Sequence, residues 1–254
     1  MISWGIDDSN GLDPLELTLH QWVRFLDPEP GERLEIVRFA SRGAAAVAFA
    51  TSLENLIRLA RDADARQGSA GVYCIANRVS DAFTHAREPD KWLSSTTGLA
   101  SNTDIVFRRV FYIDVDSERI SGTNASSEEK ACAFRLGERV EHALYEWLVV
   151  ERLPTDAIGC GSSGNGMSVF LALEPAQSEQ SVTESVSRIL RALARSLQEP
   201  GALIDTKVSN PNRLVPLFGT MKRKGEASRE RPHRQTTFCC RNPVHRIPLG
   251  RVAP

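Results

Sequence analysis

The 254-residue sequence predicts a mixed α/β (α+β) protein, in which an N-terminal α/β unit precedes an antiparallel or mixed sheet packed by helices. Three observations carry this. Short runs rich in β-branched and aromatic residues alternate with segments of helical spacing, several of those segments open on capping signatures, and a glycine-rich turn leads directly into an apolar run.

Taken in order, residues near Leu15 to Leu26 are amphipathic, and LEIVRFA (Leu34 to Ala40) and AVAFA (Ala46 to Ala50) read as strands. A helix is expected from about Ser52 to Ala65, with Thr51 as N-cap, Glu54 three residues on, and Leu53, Leu56, Ile57 and Leu59 on its apolar side. GVYCIA (Gly71 to Ala76) follows as a buried strand, so this half reads as an α/β unit with a mixed or parallel sheet. DIVFRRVFYIDVD is a second long strand, ending in Asp114 and Asp116. Ser126 and Glu129 open a helix whose Cys132, Leu136, Val140, Ala143, Leu144, Trp147 and Leu148 mark one face. The turn GCGSSGNG (Gly159 to Gly166) enters the strand MSVFLAL. A helix from about Val182 to Leu197 turns Val182, Val186, Ile189, Leu190, Leu193 and Leu197 inward, and ALIDTKV brings in Asp205.

Composition narrows the class. At 41% hydrophobic and 25% charged residues the chain is an ordinary globular one, neither disordered nor fibrous. No apolar run reaches the roughly 18 to 20 residues a membrane span needs, and the acidic start MISWGIDDSNG lacks a signal core, so a cytoplasmic protein with no membrane partner is expected. Five scattered cysteines read as reduced thiols. Cys239, Cys240 and His245 lack a CxxC partner, so no zinc is expected. Charge is uneven: from Asp205 onward 11 Lys and Arg face 3 Asp and Glu, a balance of +8 against −9 before it, within a net −1. That basic fifth fits either a polyanion-binding surface or a solvated tail.

Asp114 and Asp116, two apart on a strand, project from one face about 7 Å apart along the chain. Such a pair suits Mg²⁺ or Mn²⁺, and Asp205 would complete a site for two ions about 4 Å apart. The same pair could simply end a strand and cap the turn at Ser117-Glu118-Arg119. Ser162 to Gly166 offers backbone N–H groups and hydroxyls for phosphate oxygens, or a tight hairpin. Arg213, Lys222, Lys224, Arg223, Arg229, Arg231, His233 and Arg234 could neutralise a triphosphate or grip a template backbone.

These segments coincide with a known family. FYIDVDSER with SGTNASSEE resembles the first motif of the primase-polymerase domains of the archaeo-eukaryotic primase superfamily, of the kind carried by plasmids, phages and other mobile elements. SSGNGMSVFLAL resembles their second motif, a Ser-Gly-x-Gly turn entering a strand. LIDTKVSNPNRLVPLFGTMKRKGEASRERPHR resembles the third: Asp, then Asn-Pro-x-Arg, Gly-Thr and a basic run. The resemblance covers roughly residues 34 to 237. It implies an RRM-like palm over about 101–240 with the N-terminal unit over about 1–100, leaving 241–254 as a basic tail. It also implies a two-metal nucleotidyltransferase, a DNA primase or polymerase, acting with Mg²⁺ or Mn²⁺ on nucleoside triphosphates and single-stranded DNA, with a helicase on another chain or segment. Asp114, Asp116 and Asp205 would be catalytic and hold the metals; Ser163, Gly164, Asn165 and Gly166 would meet the nucleotide, with Arg213, Lys222 and Lys224 at its phosphates. Arg223, Arg229, Arg231, His233 and Arg234 would hold DNA.

The sequence departs from the family in one place. The second motif ordinarily ends in a histidine that reaches the nucleotide, and that position is Ser168. Ser168 could give a shorter hydrogen bond, or His233 could fold back into the role. Two alternatives therefore stand beside the active enzyme: a catalytically impaired primase-like binding module, and a metal-dependent nucleotide phosphoesterase.

Overall fold

The computed structural model describes residues 11–42, 44–94, 98–242 and 244–252, and the N-terminal acidic run discussed above lies almost wholly outside them. Helix α1 (Pro14–Leu26) starts at a capping box formed by Asp13 and Glu16 and buries Leu19, Trp22, Val23, Phe25 and Leu26. Strands β1 (Leu34–Ala40), β2 (Ala46–Ala50) and β3 (Ser69–Ile75) fall where alternation and β-branching put them, with α2 (Leu53–Ala65) between β2 and β3. The N-cap of α2 is Ser52, not Thr51 as expected: the Ser52 hydroxyl accepts from Asn55 N. The Thr51 hydroxyl instead donates to Asp90 Oδ2 at 2.6 Å.

The chain continues through β4 (Arg78–Val79), α3 (Asp81–His85), β5 (Leu93–Ser94), the 13-residue β6 (Ile105–Ser117) and α4 (Ser127–Val150). Then come β7 (Ile158–Ser162), β8 (Met167–Gln177), α5 (Gln180–Ser196), β9 (Ala202–Ile204), β10 (Leu214–Pro216), β11 (Met221–Lys222), β12 (Arg234–Gln235), β13 (Thr237–Cys240) and α6 (Leu249–Val252). The expected glycine turn is thus shorter than it reads, because Gly159 and Gly161 lie inside β7. A Cβ on Gly159 would come within 2.6 Å of Phe238, and one on Gly161 within 2.7 Å of Phe218.

One sheet has the order β10-β3-β1-β2-β5 and a second the order β13-β7-β8-β6-β4, with β9 added on β6. Every pair of named strands is antiparallel, which corrects the mixed or parallel sheet expected for the first half. The β2-α2-β3 crossover does join parallel strands, but β1 lies between them and pairs antiparallel with both. The N-terminal sheet is completed by β10, from the far end of the chain.

In β6 the pleat sends Tyr112, Asp114 and Asp116 to one face and Phe111, Ile113 and Val115 to the other. Val115 pairs with Met167, whose side chain occupies the space a Cβ on Gly137 of α4 would enter, at 2.5 Å. On the first face Tyr112 stacks on Phe170 at 4.9 Å, and Phe170 joins Trp22, Phe25, Phe218 and Phe238 in one aromatic cluster. Between the two sheets, the buried Glu32 carboxylate receives Arg109 Nη1 at 3.0 Å and Nη2 at 2.5 Å. The segment expected as a basic tail is packed where described: Ile247 is fully buried, and Arg246 donates to Phe25 O and Leu26 O.

Candidate active site

The long strand β6 delivers Asp114 and Asp116 to the rim of a pocket of about 250 Å³. Asp205 arrives from the residue after β9, and its backbone N–H donates to Asp114 O at 2.8 Å. Loss of hydration, with Asp116 and Asp205 as charged neighbours, pushes the Asp114 carboxyl up to about 7, although Tyr112 and Arg213 act in the opposite sense. Asp116 Oδ1 receives Arg119 Nη1 at 2.5 Å. The Arg119 side chain is itself buried, and donates further to Ser117 O at 3.1 Å, Ser117 Oγ at 3.0 Å and Thr123 O at 3.1 Å. Asp205 takes Lys207 N on Oδ1 at 2.8 Å and Arg213 Nη2 on Oδ2 at 3.3 Å.

The pocket therefore gathers three carboxylates with Arg119, Arg213, Lys222 and Lys224 around one polar space. The carboxylates suit a hard divalent cation by donor type. Two of them are turned to arginines, and among the described residues no group of three or more His, Cys, Asp or Glu side chains is disposed to hold a metal ion.

The basic wall is built by β11. Lys222 projects over the Tyr73 ring, 4.4 Å from its centroid, and its Nζ donates to the Tyr73 hydroxyl. Burial, with Lys224 beside it, lowers Lys222 to about 8. Among the described residues no carboxylate pairs with Lys222. Lys224 is fixed through its backbone N–H to Asn124 Oδ1 at 3.2 Å.

The glycine turn closes the pocket from the other side. A Cβ on Gly166 would lie 2.1 Å from Val115 O, and one on Gly164 (φ +89°) 2.8 Å from Lys222 Cβ, so these glycines let the turn lie directly on β6 and β11. Two backbone donors expected to cradle phosphate are bonded within the turn: Gly164 N to Ser162 Oγ at 3.2 Å and Gly166 N to Ser163 Oγ at 3.0 Å. Ser163 and Asn165 line the pocket, and the buried Asn165 amide accepts from Ala125 N at 2.8 Å while its Nδ2 has no partner among the described residues.

Ser168 is fully buried opposite Asp114, with Tyr112 Oη 3.5 Å from its Oγ. It is Tyr112 that lines the pocket there. His233 Nε2 contacts Gly225 O at 3.1 Å and takes no part in the pocket wall. The residues expected to hold DNA lie around the outside. Arg223 pairs with Asp64 at 2.9 Å, Arg231 with Glu129 at 2.6 Å, Arg234 donates to Ala125 O at 2.6 Å, and Arg229 is exposed. Sequence reasoning passed over Arg119, Tyr112 and Tyr73. The first two are marked only by position, Tyr112 two residues before Asp114 on the same strand face and Arg119 three after Asp116; nothing local marks Tyr73.

No protein-family model matches the chain, and no curated protein matches its sequence. In structure it is similar to the AEP domain of the primase-polymerase (PrimPol) of cyanophage S-2L, with a TM-score of 0.53 and 14% identity over 93% of this chain and 97% of that one. The likeness establishes the fold, an AEP-type arrangement of antiparallel sheets packed by helices, which is the fold the resemblance implied.

Proposed function

We propose that this protein is a nucleotidyltransferase that extends a DNA-templated strand from nucleoside triphosphates, a DNA primase or polymerase. One observation carries the reading: Asp114, Asp116 and Asp205 share a single pocket with Arg213, Lys222 and Lys224, carboxylates for cations on one side and cations for phosphates on the other. The likeness to the phage primase-polymerase domain supports it at the level of the fold.

In the reaction a strand-end hydroxyl attacks the α-phosphorus of the triphosphate and pyrophosphate leaves. Asp114, Asp116 and Asp205 would hold Mg²⁺ or Mn²⁺, which would lower the pKa of the attacking hydroxyl and balance the leaving group's charge. The chain's own part is positioning and charge. Lys222, largely desolvated and without a carboxylate, binds a phosphate oxygen, and an anion there favours its charged form. Arg213 exchanges Asp205 for phosphate, and Lys224 lies beside them. Tyr73 fixes the Lys222 ammonium, and Arg119 fixes Asp116.

A second reading has its own observation. With Ser168 buried beneath Tyr112 and the Gly164 and Gly166 N–H groups taken within the turn, nucleotide contact from the second motif is reduced, as in a binding module without turnover. The two separate on incorporation of labelled nucleotide on single-stranded DNA, with and without primer, in Mg²⁺ and in Mn²⁺. Extension lost in the Asp114→Ala, Asp116→Ala double variant supports the enzyme. DNA binding with no extension under any condition overturns it.

A further inference from the structure

A second cavity, of about 360 Å³, adjoins the carboxylate pocket and shares Tyr73, Arg213 and Leu214 with it. Its character is different. Phe39, Ile75 and Leu99 give it apolar walls, and Asn210 and Asn212 close one side with amides. Phe39 and Leu99 each keep 37% of their surface exposed, so apolar surface is open to a ligand in this cavity. The Phe39 and Tyr73 rings meet edge to face, centroids 5.4 Å apart and planes at 76°, so one ring presents a flat face beside the other's edge. The Asn212 amide is held by Ala100 O at 3.0 Å and by Asn210 Nδ2 at 2.6 Å, which fixes a polar edge in the cavity's lining.

A flat ring with apolar faces and a hydrogen-bonding rim matches such a cavity, and its attachment to a polyanion matches the neighbour. The Lys222 ammonium stands on the Tyr73 hydroxyl at the boundary of the two spaces. We infer that the Phe39–Tyr73 cavity receives the nucleobase of the same nucleoside triphosphate whose phosphates lie in the carboxylate pocket, with Phe39 as the stacking face. This rests on the nucleotide reading of that pocket and adds to it where the base goes.

The test compares two probes by calorimetry in Mn²⁺: a non-hydrolysable deoxynucleoside triphosphate, which has a base, and inorganic tripolyphosphate, which has none. Phe39→Ala is expected to weaken the nucleotide about tenfold and leave tripolyphosphate unchanged. Phe39→Trp keeps a stacking face, so it is expected to retain affinity, and its added fluorescence is quenched by the nucleotide and not by tripolyphosphate. Equal effects on both probes, or none on either, overturn the inference. So does weakened single-stranded DNA binding with nucleotide affinity intact, which assigns the cavity to a template base. If neither probe binds the unaltered chain, the nucleotide reading of the carboxylate pocket falls as well. Tripolyphosphate binding that persists without a base effect leaves that reading standing and removes this one.

Discussion

Arg119 Nη1 lies 2.5 Å from Asp116 Oδ1 while the same side chain donates to Ser117 O, Ser117 Oγ and Thr123 O. The guanidinium is thus a fixture of the loop after β6, and it holds one oxygen of Asp116 in a set direction. Arg119→Ala removes donors from the buried Ser117 and the half-buried Asp116 and Thr123 and is expected to lower stability by about 1–3 kcal/mol. Urea unfolding reads this directly, and an unchanged midpoint would show that the network contributes nothing.

Lys222→Ala with Lys224→Ala removes the cations of the basic wall. Nucleotide affinity is expected to fall by an order of magnitude or more at low salt, with the gap to the unaltered chain narrowing as salt rises. A titration series across ionic strength checks it; parallel curves would mean these lysines do not face the phosphates.

Gly166 and Gly122 separate two uses of glycine. At Gly166 a methyl group would overlap Val115 O at 2.1 Å, whereas at Gly122 (φ +82°) nothing lies within 4 Å and the strain is only conformational. Gly122→Ala should therefore cost about 1 kcal/mol, while Gly166→Ala should push the turn off β6 and remove nucleotide binding. Tripolyphosphate calorimetry beside thermal unfolding distinguishes the two, and a fully active Gly166→Ala would sink the proposed role of the turn.

Ser168→His would restore the residue type the motif leads one to expect. The position is fully buried under Tyr112, so the imidazole has no space while the phenol stays in place. The single variant is expected to lose 1–3 kcal/mol and gain no activity. Raised incorporation with unchanged stability would contradict this placement.

Glu35 gives a pH dependence away from the site. It is wholly buried, accepts from Ala100 N at 3.2 Å, and burial raises it from 4.5 to about 7. A carboxyl whose folded pKa lies above its unfolded value favours the folded state when protonated. That contribution is present below about 4.5 and is lost as pH rises through about 7, by at most about 3 kcal/mol. Glu35→Gln should flatten the stability profile between those limits, as chemical unfolding at stepped pH would show.

Much of the site was legible because its chemistry is local. Asp114 and Asp116 stand two apart on a strong strand pattern, and Gly164 to Gly166 announce a tight turn. What was not legible depends on distant pairing. Leu214-Val215-Pro216 is too short to read as a strand, yet it carries Arg213 into the pocket and joins β3. Alternating strands and helices suggested parallel pairing, because nothing in β2 or β3 says that β1 will lie between them. The basic run read as either a polyanion-binding surface or a solvated tail, but Arg223 and Arg231 find Asp64 and Glu129, more than a hundred positions back for Arg231 and farther for Arg223.

Because β10 is laced into the N-terminal sheet, the two sheets are not separable parts. A protein cut near residue 100 would leave the first sheet without its edge strand β10 and the second without its edge strand β4, and would part Tyr73 from Arg213 and Lys222. The segment from Asp205 to Lys222 thus belongs to both sheets at once: it follows β9 on the second, pairs with β3 of the first through β10, and supplies Arg213 and Lys222 to the pocket between.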